Sequence, residues 1–326
     1  MTAEDLGAAG AMAVLLKDAL KPNLIQTLEG QPCLMHCGPF ANIAHGNSSL
    51  VADLIGQKLG DYVITESGFG SDMGMEKFFD IVCRKGGIAP SAVVLVATVR
   101  ALKHHGGLED DPRADTKEAL AAVEKGAENL RRHLGIVKTF GLPCVVAVNR
   151  RPGDTDDEVA LVKKLAMDAG AFAAEQNDGF SNGGAGAADL AQAVADACEQ
   201  PNTFGFSYED DDSIEDKIRK VATKVYGAKD VIFYLEAQKK IRQYNEDGLD
   251  KLPICMAKTH LSLSSDPALL NAPTDFEFPV RDIRAYTGAG WLVPLAGDIQ
   301  QMPGLGKTPA ALNVDIDAEG RTVGLF

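Results

Sequence analysis

The chain has 326 residues, of which 45% are hydrophobic and 24% charged, and its formal net charge is −14 at pH 7. This length allows one large or two ordinary domains, each with its own hydrophobic core. The acidic balance argues against a nucleic-acid partner, since a surface that binds a phosphate backbone normally carries a basic excess.

The composition also argues against a membrane location and an oxidising compartment. No apolar run approaches the ~18 residues that span a bilayer. The six cysteines form no CxxC pair, and we find no secretory leader, so free thiols in the cytoplasm are expected. Cys33, His36, Cys37 and His45 would make a poor zinc site, because alternating side chains of a strand point to opposite faces. We therefore predict no metal centre.

Helices and strands alternate along the first two-thirds of the chain. Predicted helices cover residues 1–30, 41–60, 75–83, 116–139, 154–169 and 187–199. Predicted strands cover residues 31–37, 61–66, 92–97, 142–149 and 171–174. This alternation is typical of a doubly wound, mostly parallel α/β sheet. Because the chain opens on a helix with no strand before it, we expect the sheet to be partial.

A polar, acidic stretch at residues 199–213 is the best internal boundary. It divides the chain into an α/β domain at 1–202 and a smaller α+β domain at 203–326. In the second part we predict two helices, a strand and a β-pair, at residues 214–226, 232–244, 252–258 and 276–286 with 291–295.

The strand predicted at 92–97 ends in a group of chemically active residues. Thr98, Arg100 and Lys103 follow the apolar run directly, ahead of two histidines and two glycines. Ligands of open α/β sheets bind beyond the carboxyl ends of the strands, so we take these three residues as candidate catalytic residues. The alternative is a solvated basic loop after a core strand.

Other polar residues lie beside glycines or at strand ends. His45 is a candidate for proton transfer or anion binding, although a histidine beside glycine also often serves as a helix-end hydrogen-bonding group. Asn149 ends a predicted strand, where its amide would bind a ligand edge or cap a turn. Gly68 and Gly70, in GFGSDMG, would let backbone N–H groups approach a phosphate, or would merely make the bend.

The segment VATVRALKHHGG at residues 96–107 resembles the second signature of the formate–tetrahydrofolate ligases. Further segments that resemble this family, in the same order, are MAVLLKDALKPNLIQTLEG (12–30), GPFANIAHGNS (38–48), TESGFGSDMGMEKFFDI (65–81), LPICMAKTHLSLSSDP (252–267), MPGLGKTPAALNVDID (302–317) and the terminal GLF. The resemblance therefore covers nearly the whole chain. It implies a P-loop NTPase-like fold and small-molecule substrates, namely ATP, formate and tetrahydrofolate, with Mg²⁺ and a monovalent cation as further ligands.

The resemblance also places a folate site. The family holds the pterin between two aromatic residues, and the matching positions here are Arg151 and, with a small shift in spacing, Phe180. Gly183 and Gly184 lie in the loop that follows. An arginine plane and a phenylalanine can still stack on a pterin. The acidic residue of the family's loop is Ala185 here, so this pocket departs from the family pattern.

The lack of a Walker A loop is the largest departure from the family pattern. GLGKT at residues 304–308 lacks the glycine that a P-loop needs five positions before its GK glycine, because residue 301 is Gln301. We therefore expect ligase activity to need an N-terminal portion or a complementary N-terminal chain that carries the P-loop. A homo-oligomer is also expected, since family members are oligomeric and a cut sheet exposes an edge. The alternative hypothesis is a non-catalytic binding or interaction protein derived from a ligase.

Overall fold

A three-stranded parallel sheet organises the first part of the structure, which is a computed structural model. It describes residues 2–38, 42–108, 116–297 and 299, and farther along 315–316, 318 and 322–323. The strands are β1 (Asn23–Gln26), β2 (Pro32–Met35), β3 (Val93–Ala97), β4 (Cys144–Asn149), β5 (Ala173–Asn177), β6 (Asp230–Phe233), β7 (Glu277–Tyr286), β8 (Trp291–Ala296), β9 (Asp315–Ile316) and β10 (Thr322–Val323). The α-helices are α1 (Ala9–Leu16), α2 (Leu50–Leu59), α3 (Arg84–Gly86), α4 (Val99–His105), α5 (Thr116–Thr139), α6 (Asp156–Asp168), α7 (Gly179–Asn182), α8 (Ala188–Cys198), α9 (Ile214–Val221) and α10 (Leu235–Glu246).

The parallel sheet has the order β3-β4-β5, with helices between successive strands. β4 is central, and five of its six residues are buried, as expected of a strand covered on both faces. The helix after it, α6, is capped by Thr155, whose side chain forms a reciprocal capping box with Glu158. The predicted α/β class with a parallel sheet is confirmed.

The second sheet is mixed and has the order β6-β7-β8. β6 runs parallel to β7, and β8 runs antiparallel to it. One apolar core contains both Val146 of β4 and Phe278 of β7, so side chains from both parts of the chain pack together. The boundary at residues 202–203 stays a prediction.

Several predicted elements differ from those observed. The predicted helix at 1–30 is only α1, because the chain passes Pro22 into an antiparallel hairpin of β1 and β2 that lies outside the parallel sheet. Residues 61–66 form no strand, and Ile64 is exposed. The predicted strand at 252–258 makes only isolated bridges to β8. The predicted helix at 232–244 starts later, after β6.

An apolar surface remains uncovered along β3 and the N-terminal segment. β3 is an edge strand of the described sheet, and its Val96 side chain is 57% exposed. Every residue of α1 is exposed, including Leu15. Within the described ranges, no helix is both long and apolar enough to cross a membrane. The GLGKT segment at 304–308 lies outside the described residues.

Candidate functional site

The carboxyl ends of β3, β4 and β5 lie together at one edge of the parallel sheet. Thr98 follows β3, while Asn149 and Asn177 are the paired last residues of β4 and β5. This edge is where ligands bind in open α/β sheets. The structure therefore brings candidates from distant parts of the sequence to one place.

Thr98 and Lys103 also have structural roles. The Thr98 hydroxyl accepts a hydrogen bond from the Ala101 N–H at 3.1 Å and caps α4. Lys103 Nζ pairs with the buried Glu158 carboxylate, whose other oxygen accepts a bond from the Thr155 N–H at 2.8 Å. Burial alone would raise the pKa of Glu158, but Lys103 and Thr155 hold it below its ordinary value. The ion pair thus ties α4 to the start of α6. Arg100 is exposed on α4.

Two asparagine amides join the ends of β4 and β5. Asn177 donates its Nδ2–H to Asn149 Oδ1 at 2.7 Å, and Asn177 Oδ1 accepts the Gly179 N–H at 3.1 Å. This contact positions the loop that carries Phe180. The Phe180 ring is fully exposed, and Arg151 is exposed in the turn after β4. Both predicted folate-side groups are therefore accessible to a ligand.

The glycine loop after Phe180 already holds a carboxylate from this chain. The Gly184 N–H donates to Glu29 Oε1 at 2.5 Å. Gly183 has φ +60°, and a Cβ at either glycine would collide with the Glu29 carboxylate. Sequence reasoning missed Glu29. The only signal was its position in the QTLEG segment, which gives no indication of what it contacts.

The GFGSDMG loop uses its glycines for close packing. The Gly68 N–H donates to the Gly46 carbonyl at 2.7 Å, and the Gly68 carbonyl accepts the Gly74 N–H at 3.1 Å. A Cβ at Gly70 would collide with Asp72 and His133. The Gly68 N–H is thus engaged within the protein, and a phosphate contact in this loop stays a prediction.

Behind that loop lies a buried polar cluster that sequence reasoning missed. Asp72 Oδ2 is 2.7 Å from Lys258 Nζ, and Ser71 Oγ is 2.6 Å from His133 Nδ1. Burial alone would raise the pKa of Asp72, but Lys258 and His133 hold it below its ordinary value. Burial lowers the pKa of Lys258 and of His133. No sequence spacing connects these residues, since they come from elements far apart in the chain.

Two further buried carboxyl groups, Glu76 and Asp80, follow Asp72 along the same helical segment. Asp80 accepts hydrogen bonds from the Ser207 N–H at 2.9 Å and from the Ser207 hydroxyl. Burial raises the pKa of Asp80 to about 6. Burial, together with the charge of Asp80, raises the pKa of Glu76 well above its ordinary value. Both causes favour the protonated form of Glu76 relative to an exposed glutamate.

His45 lies apart from the β3-β4-β5 edge, against the second sheet. Its Nδ1 accepts the Asn47 N–H at 3.2 Å, and its ring meets Trp291 edge-on at 6.0 Å. Burial, and then the charge of Lys77, lowers its pKa. His45 is therefore favoured in the neutral form. Across the described ranges, no group of three or more histidine, cysteine, aspartate or glutamate side chains is arranged to hold a metal ion.

Comparison with known proteins gives one family. The family model described as formate–tetrahydrofolate ligase matches residues 1–326. The formate–tetrahydrofolate ligase of Desulforamulus reducens is 57% identical over 332 residues, which cover 100% of this chain and 59% of the relative. That of Roseiflexus castenholzii is 55% identical over the same shares. The cytoplasmic C-1-tetrahydrofolate synthase of Mus musculus is 52% identical over 336 residues, which cover 100% of this chain and 36% of the relative. The chain thus spans 59% of the length of these two bacterial relatives.

Proposed function

The chain belongs to the formate–tetrahydrofolate ligase family, and on that premise we propose that it supplies the folate-binding part of an ATP-dependent ligase. The reaction joins formate and tetrahydrofolate through formyl phosphate and yields 10-formyltetrahydrofolate, ADP and phosphate. The observation that carries the proposal is the convergence of Thr98, Asn149 and the Phe180 loop at one edge of the parallel sheet.

Folate recognition rests on Phe180, Arg151 and the Gly183–Gly184 backbone. The exposed Phe180 ring offers a face for a pterin, and the Arg151 guanidinium can cover the opposite face as a planar cation. Asn149 lies below this loop and holds it through Asn177. Phe180 thus contributes stacking area, while the asparagines position it.

Phosphoryl transfer needs a phosphate-binding loop, and these 326 residues contain no complete one. No full Walker A sequence occurs among them, and such a loop supplies most of the charge stabilisation in this chemistry. ATP, with Mg²⁺ and a monovalent cation, is therefore bound largely by polypeptide beyond these residues, in the same or another chain. The exposed edge of β3 and the apolar face near Val96 are where this polypeptide, or a second copy of the chain, would pack. The mouse relative is named cytoplasmic, and the described cysteines are free, as is usual in a reducing compartment; both observations support a cytoplasmic location.

In this scheme Thr98 and Arg100 lie at the start of α4, and Lys103 lies in its last turn. Lys103 keeps α4 fixed through Glu158, and the exposed Arg100 contributes positive charge near the anionic reactants. His45 lies against the second sheet, apart from this edge, and is therefore assigned no step there.

The test is reconstitution of activity. The 326-residue chain, a polypeptide carrying the Walker A part of a relative, and their mixture are assayed for ADP formation that depends on both formate and tetrahydrofolate. We expect turnover only in the mixture. A stable complex without turnover would contradict the proposal, and brisk turnover by the 326-residue chain alone would contradict the division of the site.

A binding experiment tests the folate side separately. Phe180→Ala should weaken tetrahydrofolate binding by about three- to tenfold, as expected for the loss of one stacking face. Tyr234→Ala, which removes another exposed aromatic ring at the start of α10, is the matched control and should leave the affinity unchanged. Equal affinity of the wild-type chain and Phe180→Ala would exclude Phe180 from the site.

A non-catalytic binding protein is the second candidate, favoured by Arg151 and Ala185, which depart from the family's folate pocket. Calorimetry with ATP on the chain mixed with the Walker A polypeptide separates the two functions. Tight ATP binding that requires this chain would contradict the non-catalytic role.

A further inference from the structure

Three of the chain's six histidines line one cavity outside the proposed folate loop. The cavity has a volume of about 420 Å³ and is lined by His104 and His105 at the end of α4 and by His260. Its remaining walls include Leu261, Pro267 and Leu270. Among the residues that the structure describes, the polar side chains that line the cavity are imidazoles, and no carboxylate lines it.

The His105 ring is held in one orientation from outside the cavity. Its Nδ1 accepts the Asn271 N–H at 2.9 Å, so the neutral ring carries its proton on Nε2. Asn271 is itself fixed by Asn129, which donates its backbone N–H to Asn271 Oδ1 at 2.8 Å and its Nδ2–H to the Asn271 carbonyl at 2.7 Å. His105 is thus pre-organised as a hydrogen-bond donor through Nε2.

The other two rings are also fixed by aromatic contacts. His260 stacks on Phe69 with ring centroids 4.8 Å apart, and His104 meets His105 edge-on at 5.8 Å. The positively charged Nζ of Lys125 lies near Gly107, two residues after His105. Within the described ranges the three histidines do not form a metal-holding group. Among the described residues, the imidazole donors and the nearby Lys125 ammonium favour an anion over a cation.

We propose that this three-histidine cavity binds a carboxylate ligand with an apolar body. The carboxylate would accept hydrogen bonds from the imidazole N–H groups, which bind anions well because their donors are fixed before the ligand arrives. The apolar body would contact Leu261, Pro267 and Leu270. This site does not depend on the ligase reaction.

The test follows the histidine ring signals by NMR while benzoate is added to the full chain. Signals of His104, His105 and His260 should move together and saturate, whereas His36 and His45, which lie elsewhere, serve as internal references. Benzamide has the same shape without the charge and should bind at least about tenfold more weakly. Inorganic phosphate tests whether the charge suffices without the apolar body, and it should not displace benzoate.

A pair of variants guards against indirect effects. His260→Gln keeps a polar side chain of similar length and should weaken benzoate binding by about three- to tenfold, while His36→Gln should leave it unchanged. Unaltered near-ultraviolet circular dichroism shows that each variant is folded. The proposal is overturned if benzoate moves none of the three signals, if benzamide binds equally well, or if only phosphate binds.

Discussion

Replacing Lys258 by methionine should destabilise the chain more than any change of a surface charge. The Lys258 side chain is fully buried and the Asp72 side chain is 8% exposed, with Nζ and Oδ2 2.7 Å apart. Lys258→Met keeps the length and the apolar stem but leaves the Asp72 carboxylate buried without its main cation. Nζ also donates to the carbonyls of Thr259 and Ser262, which lose that donor.

Removal of one member of a buried ion pair costs about 3–5 kcal/mol of unfolding free energy. The matched control is Lys229→Met, which breaks the exposed Lys229–Asp275 pair, whose side chains are 69% and 82% exposed. Exposed pairs of this kind contribute about 0–1 kcal/mol. The free energies are measured by urea unfolding followed by circular dichroism. The double variant Asp72→Asn/Lys258→Met should lose less than the two single losses added, because neither charge remains.

The effect of Lys258→Met should also depend on pH. In the wild-type chain the pKa of Asp72 is held low, so its contribution to stability is present above the ordinary aspartate pKa and is lost as pH falls through the folded value. Without Lys258, burial raises that pKa, and the variant loses stability as pH rises. The difference in unfolding free energy between the wild-type chain and Lys258→Met should therefore become smaller as the pH falls. A loss below about 1 kcal/mol at pH 7, or additive losses in the double variant, would refute the role given to this pair.

Three further changes test individual contacts. Thr98→Ala should lower the unfolding free energy by about 1 kcal/mol through loss of the α4 cap, and Thr98→Ser should restore it in urea unfolding. The Asp80 pKa is raised to about 6 from 3.8, so its stabilising contribution is present in acid and lost as pH rises through this interval. Asp80→Asn should therefore weaken the dependence of the urea midpoint on pH in this interval. An unchanged dependence would contradict the role given to the Asp80 carboxyl group. Gly184→Ala should weaken tetrahydrofolate binding, measured by fluorescence titration, because its Cβ would collide with the Glu29 carboxylate. Adding Glu29→Ala should recover the affinity.

Much of the first part of the fold was predictable from short stretches of sequence. The apolar run ending at Asn149 forms the central strand β4, and the helix predicted at 116–139 is α5. The start of α6 is marked by contacts between Thr155 and Glu158, which are only three residues apart in sequence. The site candidates Thr98 and Asn149 fall at strand ends because parallel strands bring their carboxyl ends to one edge.

Other features depended on residues distant in sequence. Residues 61–66 have strand-like composition but no strand beside them, and residues 252–258 meet β8 only at single bridges. Glu29 accepts a hydrogen bond from the Gly184 N–H across 155 positions of sequence. Asp72 pairs with Lys258 only once the segments that carry Ser71, His133 and Lys258 have packed together. The three-histidine cavity likewise joins α4 to the segment at His260.

The sequence by itself determined the α/β class, the family and local features such as the strand β4 and the Thr155 cap, because propensities, caps and apolar runs act within a few neighbouring residues. Only the tertiary structure decided which buried charges became partners and which glycines met a carboxylate. Such pairings follow from the packing of elements that are far apart along the chain, and strong interactions in a water-free interior form only where that packing leaves two groups within hydrogen-bond distance.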